Sequence, residues 1–356
     1  MSLFKDTLGA SESLFRMEQA LDYEFLPKLL PYRENEQFRM AACIKPLLQG
    51  RTGKNVFIYG APGIGKTAAM KFVLKELEEE SDDVYVIYLN CWQKNTTYKI
   101  ILEICAQIDY RFTQNKKTEE LFRIVKDVLN KKSVVFAFDE IDKVEDLDFL
   151  YTIIEEIFKK TIFLITNYKE WLIDADQRVK SRLIPEMIEF KQYNAQETFG
   201  ILKERLGYAF VPGVWDDDAF VVAANKAGDL KDIRAGLNIL RESGLTAENY
   251  SSKKITKEHV QETLTKMEEF FVKKPADLED DMQTILAIIQ DHDGKKIGDI
   301  YKVYQENGGK AIYKTFQRRI RKLSDNKYIT TKTISGGSEG RTTIIHVSKM
   351  KKLTEF

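Results

Sequence analysis

Histidine and cysteine are scarce in this chain of 356 residues, which holds three of each. The cysteines, Cys43, Cys91 and Cys105, are odd in number and form no CxxC pair, so neither a disulfide framework nor a zinc site is expected. They read as reduced residues in or near the core. His259, His292 and His346 are scattered, and no histidine-based catalytic cluster can be built from them. No stretch approaches about 18 consecutive apolar residues, so nothing is expected to span a membrane. The segment MSLFKDTLGASESLF has neither the basic start nor the long apolar centre of a secretory signal. A soluble, cytoplasmic protein is the expectation. Net charge is missing too, since 55 basic residues balance 55 acidic ones. The length suits about two or three domains. A hydrophobic content of 43% allows sizeable cores and argues against wholesale disorder.

The overall balance hides a local excess. Residues 278–356 hold about 15 basic and 10 acidic residues, and residues 300–352 about 13 basic against 3 acidic. The second interval is a candidate footprint for a polyanion.

Short, nearly continuous apolar runs punctuate the first half: NVFIYG (55–60), VYVIYLN (84–90), SVVFAFDE (133–140), TIFLITN (161–167) and EMIEF (186–190). That is the pattern of strands buried on both faces. Helical spacing between them, at 67–80, 98–108 and 117–129, predicts a parallel sheet with helices on both faces. From Asn194 to about Phe271 the runs stop, and four helices are expected over 195–210, 215–228, 230–244 and 257–272. Gly213, Gly228 and Gly244 are expected to punctuate them, with Asp216, Asp217 and Thr256 as caps. The polar stretch KKPADLEDD (273–281) reads as a boundary. The expected domains are therefore 1–193, 194–274 and 278–350.

GAPGIGKT, residues 60–67, fits the phosphate-binding pattern G-x-x-x-x-G-K-[ST], and it follows an apolar strand and opens a helix as that pattern requires. Gly60, Ala61, Pro62, Gly63, Ile64, Gly65, Lys66, Thr67 and the following Ala68 form the candidate ATP/ADP cradle. Glycines let successive N–H groups face the phosphates, and the helix N-terminus adds partial positive charge. Lys66 would neutralise the β- and γ-phosphates, and Thr67 would ligate Mg²⁺. The third strand ends in Asp139 and Glu140. Asp139 would hold Mg²⁺ through its water shell, and Glu140 would polarise the attacking water. An acidic pair after a strand also serves as a helix cap. Asn167, ending the fourth strand, would orient the water; its other reading is a turn residue.

P-loop, acidic strand end, polar strand end and a following set of helices together resemble AAA+ ATPases. In that family the segment before the fifth strand carries an arginine that reaches the γ-phosphate of a neighbouring subunit. Here that segment is RVKSRLIPEMIEF (178–190), with Arg182 in the matching place and Arg178 in reserve. An arginine suits the task because its fixed charge and planar fork stabilise transferring phosphate oxygens. LPYRENEQ (30–37), YLNC (88–91), DQRVKSRL with IEFKQYNAQE, and GVWDDDAFVVAANKAGDLKDIRAGLNILRESG look like the archaeal origin-recognition initiators, relatives of eukaryotic origin-recognition and helicase-loading ATPases. The resemblance runs from about residue 20 to 347. It implies that Arg234 touches the γ-phosphate from the lid of the same subunit. It also implies that Tyr193 and Arg205 contact ATP from the lid side and that Pro31 and Tyr32 lie near the adenine.

Three helices and a hairpin over 281–347 outline a winged helix. In KAIYKTFQRRIRKLS (310–324), Ile312, Phe316, Ile320 and Leu323 share one face and are expected to pack inward. Lys310, Lys314, Gln317, Arg318 and Arg321, with Arg319 and Lys322 nearby, mark the other face for a DNA groove and its phosphates. The hairpin tip SGGSEGRTT, including Gly337, would let backbone approach DNA closely, with Arg341 meeting phosphate or a minor groove.

The expected fold is α/β: an AAA+ P-loop ATPase with a parallel five-stranded sheet, a helical lid domain and a C-terminal winged-helix domain. The resemblance implies an ATP-regulated protein on double-stranded DNA at replication origins. It would be chromosome-associated, assemble with itself or a paralogue, and help load a replicative helicase. Two other readings stay open: a transcription regulator using the wing for promoters, and an interaction protein whose nucleotide is never turned over. The intact set Lys66, Asp139 and Glu140 speaks against the last.

Overall fold

A computed structural model describes residues 13–271, 280–309, 311–325, 328–336 and 340–347. The chain forms two compact units, Met1–Val260 and Gln261–Phe356. The expected break at 275–277 lies outside the described residues. Among the described residues no helix is long and apolar enough to cross a membrane.

In the first unit, helix α1 (Glu34–Leu48) precedes strand β1 (Val56–Tyr59), α2 (Lys66–Glu80) and β2 (Val84–Asn90). Then come α3 (Thr97–Gln107), α4 (Thr118–Leu129), β3 (Ser133–Asp139), α5 (Asp148–Glu156) and β4 (Lys160–Thr166). The short helices α6 (Trp171–Asp174) and α7 (Gln177–Leu183) lead into β5 (Glu186–Glu189). The five strands are parallel in the order β2-β3-β4-β1-β5. All of β3 is buried, and its alternation splits two cores. Val134, Phe136 and Phe138 face a core with side chains of α3, α4, α5 and α7, while Val135 and Ala137 face one with α1 and α2. Register brings Asn90 beside Asp139, and Asp139 beside Ile165, so the strands end together at one edge. The basic stretch before β5 is helical. Asp176 caps α7 by accepting from the Arg178 N–H at 2.8 Å.

Four helices follow: α8 (Ala195–Ala209), α9 (Asp217–Leu230), α10 (Ile233–Asn249) and α11 (Lys257–Phe271). Asn194 and Glu197 close a capping box on α8, each backbone N–H donating to the other's side chain at 2.9 Å. Asp216 stands at the N-cap of α9 but pairs with Lys254 instead of capping. Gly228 and Gly244 lie inside α9 and α10, not between helices. The reason at Gly244 is a close approach: an added Cβ would come 2.4 Å from Phe15 and 2.8 Å from Phe210. Phe15 belongs to an N-terminal strap. Arg16 and Met17 N–H donate to Ala209 O, and Ser13 Oγ and Leu14 N–H donate to Glu248. Arg241 of α10 pairs with Glu18 and Asp22 on the same strap.

The second unit takes in α11 from Gln261 onward, then α12 (Asp280–Asp291), α13 (Ile297–Glu306) and α14 (Tyr313–Asp325), and β6 (Ile329–Gly336) antiparallel to β7 (Gly340–Val347). Ile285, Ile289, Ile300, Tyr304, Phe316, Ile320 and Leu323 form its core. Helix α14 starts three residues later than its sequence pattern suggests, and Ile312 is 69% exposed, not packed inward. The linker is held open instead: Ala311 N–H donates to Tyr304 Oη, and Tyr301 Oη donates to Ala311 O. A side chain at 312 therefore lies before the helical register that buries Phe316.

Candidate functional site

The loop from Gly60 to Gly65 follows β1, and Gly65 is the residue before α2, with φ +88°. Gly60 and Gly63 also carry positive φ. Such a loop presents N–H groups on its concave side. A cleft of about 1060 Å³, counting its open mouth, lies over it. Residues Pro62 to Ala68 line one wall, Asp139, Glu140, Thr166 and Asn167 another. The lid side is Ile201, Glu204, Arg205, Ile233, Arg234 and Leu237, and the remaining wall is Tyr23, Pro27, Leu30 and Pro31 with Tyr193.

Lys66 is only 7% exposed. Its ammonium donates to Gly60 O, Ala61 O and Asn167 Oδ1 at 2.7–2.8 Å. Burial pulls its pKa down to about 8 against the pull of Asp139, and Arg234 adds to the fall. A cation desolvated in this way gains from an anionic ligand. Asp139 Oδ2 accepts from Thr67 Oγ1 at 2.5 Å and from Tyr88 Oη at 2.9 Å, while its Oδ1 accepts the Glu140 N–H at 2.9 Å. The Thr67 hydroxyl and Asp139 carboxylate are the hard oxygen donors that suit Mg²⁺, so the donor set fits that ion. Glu140 holds a left-handed backbone, φ 54°, a strained state for a residue with a side chain. Its carboxyl is pushed up by burial, then by Asp139 and Asp142, the direction a general base needs. Thr166 Oγ1 donates to Asp142 at 2.7 Å and braces the acidic turn.

Most of the expected nucleotide residues thus line the cleft, with exceptions; Gly60 and Ala61 do not line it, and their carbonyls hold Lys66. Tyr32 does not line the cleft. An added Cβ on Gly200 of α8 would meet its hydroxyl at 2.3 Å, so its ring is turned to the lid helix. Arg205 lines the cleft, but its guanidinium donates to Ala20 O and Phe25 O at 3.0 Å and lies 5.0 Å from the Phe25 ring. Those bonds tie the strap to the lid. Arg182 does not line the cleft either. It pairs with Glu155 and lies 5.2 Å from the Tyr151 ring. Arg178 pairs with Asp176 at 2.8 Å and lies 5.6 Å from the same ring.

On α14, Lys314, Gln317, Arg318 and Arg321 are exposed. Arg319 departs from the expected basic face: it pairs with Asp281 and donates to Tyr304 Oη at 3.4 Å. Lys310 and Gly337 lie outside the described residues. Arg341 stands on β7, paired in register with Ser335 of β6.

Residues 49–167 match the AAA domain family, and residues 199–264 match the Cdc6 AAA+ ATPase-type lid domain. ORC1-type DNA replication protein 1 of Sulfurisphaera tokodaii is 32% identical over 94% of this chain and 90% of its own length. The chain belongs to the ORC1-type DNA replication proteins. The namesake from Methanothermobacter thermautotrophicus is 31% identical over all of this chain and 98% of its own. The structure of the Aeropyrum pernix ORC1 protein in complex with DNA is similar at a TM-score of 0.70, with 27% identity over 95% of this chain and 94% of that one. This ORC1-type chain is accordingly an AAA+ ATPase with a helical lid and a C-terminal winged helix.

Sequence reading missed the apolar wall, Tyr23, Pro27, Leu30, Ile201, Ile233 and Leu237, because it is gathered from three separate segments. It also missed Arg33. The only signal in its favour was a basic residue within LPYRENEQ.

Proposed function

We propose that this protein is an ATP-regulated initiator that binds double-stranded DNA at replication origins and helps recruit a replicative helicase. The observation that carries the ATPase half is the Lys66–Asn167 and Thr67–Asp139 pairing at the mouth of the P-loop, beside a carboxyl at Glu140 whose pKa is raised. Gly63, Gly65 and Thr67 amides would cradle the phosphates, and Lys66 would leave its carbonyls for them. Thr67 and Asp139 would hold Mg²⁺, which when bound offsets the charge of the phosphate oxygens. Glu140 would accept a proton from the attacking water while Asn167 orients it. Arg234 would meet the γ-phosphate from the lid, and the apolar wall with Pro31 would take the base.

Arg182 sits outside the cleft of its own chain, which favours a role across a subunit boundary, in an assembly with a second copy or a paralogue. Such a role distinguishes an initiator from a promoter-binding regulator, which needs no inter-subunit arginine. The exposed face of α14, with Lys314, Gln317, Arg318 and Arg321, is the surface offered for DNA, and the sequence nominates Lys310, Gly337 and Arg341 as further DNA-binding residues. Domain limits of 1–193, 194–274 and 278–350 serve this division of labour. Genome-wide mapping of bound DNA tests the proposal. One or a few sharp peaks at replication start sites are expected, and a spread over many promoters would support the regulator instead.

A further inference from the structure

We infer that Arg33 is a positioning residue for nucleotide binding, acting from behind the P-loop by fixing the peptide between Ile64 and Gly65. Arg33 is 4% exposed and stands just before α1. Its Nε and Nη2 both donate to Ile64 O, at 3.1 and 3.0 Å, and Nη2 also donates to Lys191 O at 2.6 Å. Nη1 pairs with Glu36 at 3.3 Å. The guanidinium lies 3.9 Å from the centre of the Tyr193 ring and 5.2 Å from that of Phe190.

The consequence follows from peptide planarity. A trans peptide points its C=O and its N–H in opposite directions. With Ile64 O turned back onto Arg33, the Gly65 N–H is turned away from it. In a loop of this kind that is the concave side, where phosphate oxygens are held. Tyr193, stacked on the guanidinium, also borders the loop, since a Cβ added to Gly65 would meet its hydroxyl at 2.8 Å. The peptide plane is therefore held through Arg33 and its aromatic seat before any ligand arrives. Two cations serve the loop differently. Lys66 holds Gly60 O and Ala61 O through one mobile amine, which must leave them to reach a phosphate. Arg33 uses a rigid fork and an aromatic seat, and nothing calls on it to move. A lysine at 33 keeps the charge but loses both the double donation to Ile64 O and the stacked plane.

This inference rests on the reading that the cleft binds nucleotide. Titration calorimetry on the full chain with Mg²⁺-ADP, and with adenosine by displacement, separates the two ideas. For Arg33→Lys, ADP affinity is expected to fall about tenfold or more, as misplacement of a binding group does. Adenosine affinity should stay within about twofold of the wild type, because the base wall is untouched. A role confined to folding would lower the melting temperature and the fitted stoichiometry while leaving the ADP-to-adenosine ratio alone. Glu36→Gln removes the ion pair that holds Nη1 without touching the cleft lining, and should shift the same ratio in the same direction by a smaller factor, which keeps the test open should Arg33→Lys fold poorly. Unchanged ADP affinity in folded Arg33→Lys, equal losses for ADP and adenosine, or an unshifted ratio in Glu36→Gln would each overturn the inference. Absence of ADP binding by the wild type would overturn the nucleotide reading itself.

Discussion

Lys66 and Arg318 are both cations suited to phosphate, and their surroundings are opposite. Lys66 is 7% exposed, bonded to three acceptors and depressed in pKa by burial. Arg318 stands exposed on α14, over a core of Phe316, Ile320 and Leu323 that faces the other way. A buried cation acts at contact distance and depends on the positions of a few neighbours. An exposed one acts through a screened field, so its effect falls with salt and is shared among similar charges. The ATPase cleft should therefore be sensitive to single changes of geometry, and the winged helix to the number of charges.

Glu140→Gln should give the largest effect. It keeps the shape of the acidic turn and removes the base, so steady-state ATP turnover is expected to fall by about 10²–10⁴ while nucleotide affinity holds. Unchanged turnover would remove Glu140 from that role. Replacing Arg318, Arg321 and Arg341 together with Ala should make the plot of log affinity against log salt shallower by about two to three units, without altering ATP affinity. Identical DNA binding at every salt concentration would take the winged helix out of the interface. Gly244→Leu probes packing where the strap meets α10. Crowding Phe15 and Phe210 should cost about 1–3 kcal/mol of stability in thermal or urea unfolding, with little dependence on salt. Arg182→Ala should have the smallest effect on the isolated chain. Its pair with Glu155 is about 40% exposed on both sides, so the loss should be about 0.5 kcal/mol or less, with ATP affinity unchanged. Loss of partner- or DNA-stimulated hydrolysis in the same variant would place Arg182 with the contact-distance group after all, but in another subunit's cleft.

Legibility followed the same divide. The phosphate cradle was readable because its residues are contiguous and each position has a backbone reason for being there. Asp139 and Glu140 were readable because a buried strand delivers them to the sheet edge. The apolar wall was not, since an apolar residue at a cleft is chemically the same as one in a core. Tyr32 was expected at the cleft and does not line it, because its ring turns to Gly200 of the lid helix. Arg205 does line it, but its guanidinium is engaged by the carbonyls of Ala20 and Phe25. Helix ends went astray where glycine was read only as a breaker. Gly228 and Gly244 are small residues at helix contacts, and local sequence cannot separate that use from a turn.

Taken alone, the sequence determined the order and type of the main elements, the parallel sheet, the P-loop and the basic C-terminal interval. These depend on periodicity, on fixed spacing and on charge count, all of which are local or additive. The tertiary structure decided which side chains of distant segments share a wall of the cleft and that Arg33 lies beneath the P-loop. It also decided that Arg182 stands outside its own site and that Arg319 turns inward to Asp281. Each of those outcomes is a competition between partners separated by many residues, settled by burial and hydrogen-bond satisfaction once the chain is packed.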